Sequence, residues 1–210
     1  MLYTYSGTCG SGKSYHAVKD IIFCLKRGGA VVTNLELDKQ KILQYHKKID
    51  KKTLDDKLLI VPNEKITPKF LYQVAVDNYG SKTKNLLIID EAADMFNSRD
   101  WSKADRSSWN KFFRMHRHLF YNVILVSQSR KMLDKQIQYL FDVDVQHRNI
   151  SEYGFIGALL SIFLPKLFIA VSVYVPIKAR SSSNFVWLLK KYYSLYDTFT
   201  LKNYVDVDFF

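Results

Sequence analysis

Eight residues near the start constrain this chain more than any other feature: Gly7, Thr8, Cys9, Gly10, Ser11, Gly12, Lys13 and Ser14. They match G-x-x-x-x-G-K-[ST], and their flanks agree with the pattern. Residues 2–5, Leu-Tyr-Thr-Tyr, read as a strand, and residues 15–26 carry a helical period. A phosphate-binding loop needs this strand–loop–helix context; without it the pattern is only a string match. The glycines allow a tight turn that brings successive N–H groups onto phosphate oxygens, and the positive end of the following helix favours the same anion. In such a loop Lys13 reaches the β- and γ-phosphates of ATP and the Ser14 hydroxyl ligates Mg2+.

The 210 residues suffice for one α/β domain with a real core. Hydrophobic residues at 48% and charged residues at 24% exclude a disordered chain. Cys9 and Cys24 cannot make a disulfide framework or a metal site by themselves, and a bridge at Cys9 would obstruct a nucleotide, so a reducing cytoplasm is expected. The net charge of +11 points to an anionic partner, whether nucleic acid, acidic lipid or a nucleotide, and says nothing about fold. Met1 leads directly into the strand, so no signal peptide is expected to open the chain.

Arg27-Gly28-Gly29 stops the first helix, and residues 30–34 read as a buried strand. The lysine-rich stretch 35–56 reads as a solvated helix and loop. Residues 58–62 form another short strand, and Thr67-Pro68 has the form of an N-cap followed by proline at the first helical position, opening a helix to about residue 78. The run Asn85-Leu86-Leu87-Ile88-Ile89 ends in Asp90-Glu91. A continuous apolar run closed by carboxylates reads as a central parallel strand whose carboxyl end faces a ligand. Asp90 is expected to hold the magnesium shell and Glu91 to orient and deprotonate an attacking water.

Residues 107–118 read as an amphipathic helix, with Trp109, Phe112, Phe113 and Met115 on its apolar side and Arg106, Arg114, Arg117, His116 and His118 on or near its polar side. Residues 122–128 form a third central strand whose terminal Gln128 is placed to sense the γ-phosphate or hold the lytic water. A helix over 131–140 and an edge strand over 143–148 follow. The alternation predicts a P-loop NTPase fold, a mostly parallel central sheet with helices on both faces and the nucleotide at the carboxyl ends of the strands. Residues 1–150 would form the ATPase core and 151–210 a C-terminal extension of the same domain that could lie close to a membrane.

Residues 155–177 carry one charge, Lys166, and must be weighed as a membrane span. Lys166 at the middle would cost about 2.5–3.5 kcal/mol, and Pro165 would break the helical ladder. Two separate pieces are expected instead, with 167–175 strand-like. Ser181 to Asn184 reads as a flexible turn before a last amphipathic segment, 185–193.

These motifs resemble the zonula occludens toxin family, whose members include the gene I assembly proteins of filamentous bacteriophages. The likeness rests on residues 7–14, Thr33-Asn34-Leu35, 87–91, Asn97-Ser98-Arg99-Asp100-Trp101, 112–118, 123–128, Asp134-Lys135-Gln136, Phe155-Ile156-Gly157, Pro165-Lys166-Leu167 and Tyr196-Asp197-Thr198. The resemblance implies an ATPase that powers extrusion of single-stranded phage DNA through the host inner membrane. It also implies a ring oligomer in which Arg106, Arg114 or Arg117, with Arg117 as the catalytic candidate, serves a neighbour's nucleotide. Its implied partners are single-stranded phage DNA or its binding-protein complex, and the host inner membrane or a membrane-anchored assembly protein, reached from the cytoplasmic face. Filamentous-phage members usually continue into a transmembrane helix, whereas this sequence stops at Phe210. That leaves a truncation, or an anchor supplied by a partner or by residues 155–177. Two rival functions remain: a nucleotide-binding structural or toxin-like interaction protein without sustained turnover, and a small-molecule kinase, which Asp90-Glu91 and the lack of an arginine-rich lid disfavour.

Overall fold

The computed structural model describes residues 1–97, 103–150 and 167–196, the side chains of 103–105 excepted. Its strands are β1 (Leu2–Gly7), β2 (Val31–Thr33), β3 (Leu58–Ile60), β4 (Asn85–Ile89), β5 (Tyr121–Val126), β6 (Val143–Asn149), β7 (Leu167–Tyr174) and β8 (Ala179–Trp187). They form one eight-stranded sheet in the order β3-β2-β4-β5-β1-β6-β7-β8. Pairings from β3 through β6 are parallel, while β7 and β8 close the sheet as an antiparallel hairpin.

The helices divide between the two faces because the central strands are apolar on both. Alternation sends Leu86 and Ile88 of β4 to one face and Leu87 and Ile89 to the other, all buried. The first face is covered by α1 (Lys13–Lys26), α2 (Lys39–Tyr45) and α3 (Lys51–Lys57), through Tyr15, Val18, Ile22, Ile42 and Leu54. The second is covered by α4 (Pro68–Asp77), the turn α5 (Ala93–Phe96), α6 (Lys103–Met115) and the turn α7 (Lys135–Gln138). Thr67 caps α4 as its sequence predicts, its hydroxyl accepting from Phe70 N–H at 3.2 Å. In α6, Trp109, Phe112 and Phe113 meet Phe96 and Tyr121 ring against ring. A final turn, α8 (Lys190–Tyr193), returns to α1, where Tyr15 Oη donates to Trp187 O at 2.7 Å and accepts from Leu189 N–H at 3.0 Å.

Five expectations need correction. β6 is not an edge strand: it lies between β1 and β7. The predicted helix over 131–140 is a 3-10 turn, Arg130–Met132, followed by α7, because Asp134 turns its carboxylate onto Gln136 N–H and starts a new cap. Ser181 to Asn184 lie inside β8, and the hairpin turns at residues 175–178, where Pro176 cannot pair and Lys178 takes a positive φ of 53°. Segment 185–193 is accordingly split between the end of β8 and α8. Met115 and His116 also exchange their expected sides: Met115 is exposed, while His116 is buried with Nδ1 on Phe113 O. The stretch 155–177 does not form one helix, since β7 occupies 167–174; residues 155–166 lie outside the described residues, as do 98–102 and 197–198 of the resemblance motifs. Among the described residues no helix is long and apolar enough to cross a membrane.

Under α1, Tyr5 Oη donates to Asp20 Oδ2 at 2.5 Å. Burial raises the Asp20 carboxyl from its ordinary 3.8 to about 6, so the folded protein holds this proton more tightly than the unfolded chain. Asp20 therefore costs stability as pH rises from 3.8 to 6. Asp20→Asn, which keeps an acceptor for Tyr5, should stabilise the protein by about 1–3 kcal/mol above pH 6. Urea unfolding measured across this range should show that gain vanishing towards pH 4.

Candidate functional site

β1, β5 and β4 run in level register: Tyr5 lies beside Val126, and Ile89 beside Leu125. The residues that follow each strand therefore leave the sheet at one edge. These are the loop from Gly7 to Ser14, then Gln128, then Asp90 and Glu91. Because β5 separates β1 from β4, the loop and the carboxylates stand roughly 10 Å apart at the strand ends. The start of α1 crosses that gap, and Ser14 Oγ donates to Asp90 Oδ2 at 2.9 Å.

The loop has the backbone that its glycines permit. Gly10 and Gly12 take φ of 73° and 90°, where a side chain would be strained. A Cβ on Gly12 would lie 2.5 Å from the Phe168 ring, and one on Gly7 would lie 2.3 Å from His147 O. Thr8, Cys9 and Gly10 are exposed at the tip, and Cys9 is a free thiol. Lys13 is buried, its ammonium donating to Gly7 O and Thr8 O, each at 2.9 Å. Ser11 Oγ is buried in the loop with no hydrogen-bond partner among the described residues. A buried hydroxyl without an acceptor beside a buried ammonium suits a phosphate oxygen. Beneath the loop, His16 Nδ1 and His147 Nε2 lie 2.8 Å apart. Burial lowers these imidazoles to about 4 and about 3, so the floor is neutral at physiological pH.

Asp90 and Glu91 differ in setting. Asp90 is half-buried, and its Oδ1 accepts from Glu91 N–H at 3.1 Å while Oδ2 takes the Ser14 hydroxyl. Burial raises its pKa, opposed by the Ser14 hydrogen bond, the Glu91 N–H and the Lys13 charge. Glu91 is exposed and adopts φ 45°, a left-handed conformation uncommon outside glycine. Its pKa is raised by desolvation first and the Asp90 carboxylate second, with Lys13 opposing. Ser14 and Asp90 supply hard oxygen donors of the kind magnesium takes together with substrate phosphates, rather than in an all-protein cage. These residues fit that ion.

Gln128 is brought to the same edge, exposed, with its carbonyl accepting from Gly7 N–H at 3.1 Å. Arg117 is not. It follows α6 at the amino ends of the strands, where its Nη2 lies 2.6 Å from Asp142 Oδ1, opposite the edge that carries Lys13.

The residue that sequence reasoning missed is Asn34. Its Oδ1 accepts from Asp90 N–H at 2.7 Å, and its Nδ2 donates to Asp90 O at 2.8 Å and to Asn63 Oδ1 at 2.9 Å. The β2–β4 pairing ends at Thr33 beside Ile88, and the amide carries the ladder past that point. Its sequence signal was a place in the Thr33-Asn34-Leu35 motif, at the last position of the strand read over 30–34, and neither specifies a hydrogen-bond partner.

The family model for zonular occludens toxin (Zot) matches residues 1–163. The chain belongs to this family. It is 30% identical over 185 residues to the Gene 1 protein of Enterobacteria phage I2-2, covering 82% of this chain and 49% of that protein. This Zot chain thus spans about half the length of that relative. Among solved structures, the N-terminal domain of the zonular occludens toxin from Neisseria meningitidis is 20% identical, with a TM-score of 0.52 over 93% of this chain and 98% of that one. The genome packaging NTPase B204 of Sulfolobus turreted icosahedral virus 2, solved with ATP-gammaS, is 18% identical, with a TM-score of 0.56 over 90% and 98%. The fold is that of a P-loop NTPase.

Asn34→Ala would leave the Asp90 N–H and carbonyl without their partners. Urea unfolding should show a loss of about 1–3 kcal/mol, against no measurable change for the exposed Lys47→Ala.

Proposed function

We propose that this chain is the ATP-hydrolysing module of a motor that assembles filamentous-type phage and exports single-stranded viral DNA through the host inner membrane. The observation that carries this reading is the Ser14–Asp90 hydrogen bond, with Glu91 as the next residue. It supports one centre in which phosphate binding, cation binding and water activation meet. Membership of the Zot family and likeness to a Gene 1 protein of a phage support the assembly role.

Each residue has a part in in-line displacement at the γ-phosphate. The loop N–H groups and Ser11 hold the phosphates, and Lys13 exchanges its loop carbonyls for β- and γ-oxygens. Ser14 and Asp90 would hold Mg2+, which would supply positive charge against the charge developing on the phosphates. Glu91, its basicity raised by partial desolvation and by Asp90, orients the water and accepts its proton. Gln128, just past the end of the adjacent strand β5, holds the water from the other side. Arg117 stands at the far edge of its own sheet, so it would serve a neighbouring subunit's nucleotide in a ring. The remaining partners are single-stranded phage DNA, bare or with its binding protein, and the inner membrane or a membrane-anchored assembly protein at its cytoplasmic face.

Phosphate release should be followed with and without single-stranded DNA while oligomer size is recorded, with Lys13→Ala as background. Turnover should rise at least about tenfold with DNA or with assembly. ATP binding without turnover in every condition would make the nucleotide a structural ligand and overturn the motor.

A further inference from the structure

The outer side of α6 is not needed by the core. Trp109, Phe112 and Phe113 take its buried side, and the opposite arc, with α7, lines a groove of about 660 Å3. Its cations are Arg106, Lys111 and Arg114; Ser107, Asn110 and Gln136 complete its polar wall, and none of the described lining residues is a carboxylate. Among the described side chains one acid pairs with these cations. Asp134 is buried beside Arg106, Nε to Oδ2 3.7 Å, and its other oxygen is committed to capping α7. Lys111 and Arg114 project into solvent. Arg106 and Arg114 stand two turns apart with Asn110 between, each four-residue step advancing about 6 Å along the groove. The Asn110 side-chain amide donates to Gln136 Oε1, and its own Oδ1 is buried without a partner among the described residues. Three residues after Gln136, Tyr139 is 87% exposed, an aromatic ring that the core does not use.

We infer that the α6–α7 groove binds the backbone of a single-stranded polynucleotide, with Tyr139 stacking on a base. A row of cations tracks phosphates, and an exposed ring one turn past the lining residue Gln136 distinguishes a strand with accessible bases from a plain polyanion. The inference rests on the motor reading for its biological sense. The walls of the groove also have the right roots: α6 follows the strand that ends at Asp90 and Glu91, and α7 follows the strand that ends at Gln128. The two segments are joined, since Asp134 N–H donates to Phe96 O at 2.9 Å and Asn97 bridges Leu133. A strand lying in the groove touches both elements that leave the hydrolytic edge.

The test is fluorescence anisotropy of a labelled oligothymidine of about thirty nucleotides binding the full chain over a range of salt. It needs no ATP turnover, so its failure is distinct from failure of the motor reading. Lys111→Glu with Arg114→Glu should weaken binding more than about tenfold and flatten the salt slope by about 1.4. Lys47→Glu with Lys48→Glu, the same charge change on exposed residues elsewhere, should weaken it less than about threefold. Tyr139→Ala should weaken it on the order of tenfold. Equal losses from both lysine-containing pairs, no loss from the groove pair, or no loss from Tyr139→Ala would overturn the assignment.

Discussion

One hydroxyl reaching across one strand holds the site together. Ser14 belongs to the helix that leaves β1, Asp90 to the turn that leaves β4, and β5 stands between them. Their 2.9 Å contact is possible only because the three strands end level and the glycine loop turns α1 back over the end of β5. The supports around it follow from that geometry. The end of β5 is tied to both neighbours, since Ser127 N–H donates to Tyr5 O and Ala92 N–H to Val126 O. Asn34 fixes the Asp90 backbone from the β2 side. Glu91 then sits in a left-handed conformation directly after a residue held by hydrogen bonds from both Asn34 and Ser14.

The same arrangement separates two carboxylates that are neighbours in sequence. Asp90 is turned inward onto a hydroxyl and an N–H, which suits ion holding. Glu91 faces outward, with its proton affinity raised by desolvation and by the adjacent charge, which suits proton acceptance. The buried histidines below the loop stay neutral and leave Lys13 as the loop's own buried cation among the described residues.

Much of this was legible because the decisive signals are local. The loop from Gly7 to Ser14 and the run from Asn85 to Glu91 each carry their chemistry within one short segment, and Thr67-Pro68 announces its helix in two residues. What was not legible depended on partners far away in the chain. β6 has no feature that says it is interior; its place follows from pairing with β1, about 140 residues earlier, and with β7. Serines 181–183 carry turn composition, yet the hairpin from Val175 places them in an edge strand. Asn34 was visible only as a motif letter, since its role is a pair of hydrogen bonds 56 residues away. Arg117 had the right residue type, and its far-edge position is a property of topology alone.

The central claim is that this edge hydrolyses a nucleoside triphosphate through Glu91, and binding and turnover can be read separately in one variant. Glu91→Gln keeps the size and polarity of the side chain and removes its ability to accept a proton. With Mg2+ present, the variant should bind ATP as tightly as the wild-type chain while single-turnover hydrolysis falls by a factor of about 10²–10⁴. A variant that hydrolyses at the wild-type rate, or a wild-type chain that binds ATP and never releases phosphate, would contradict the account.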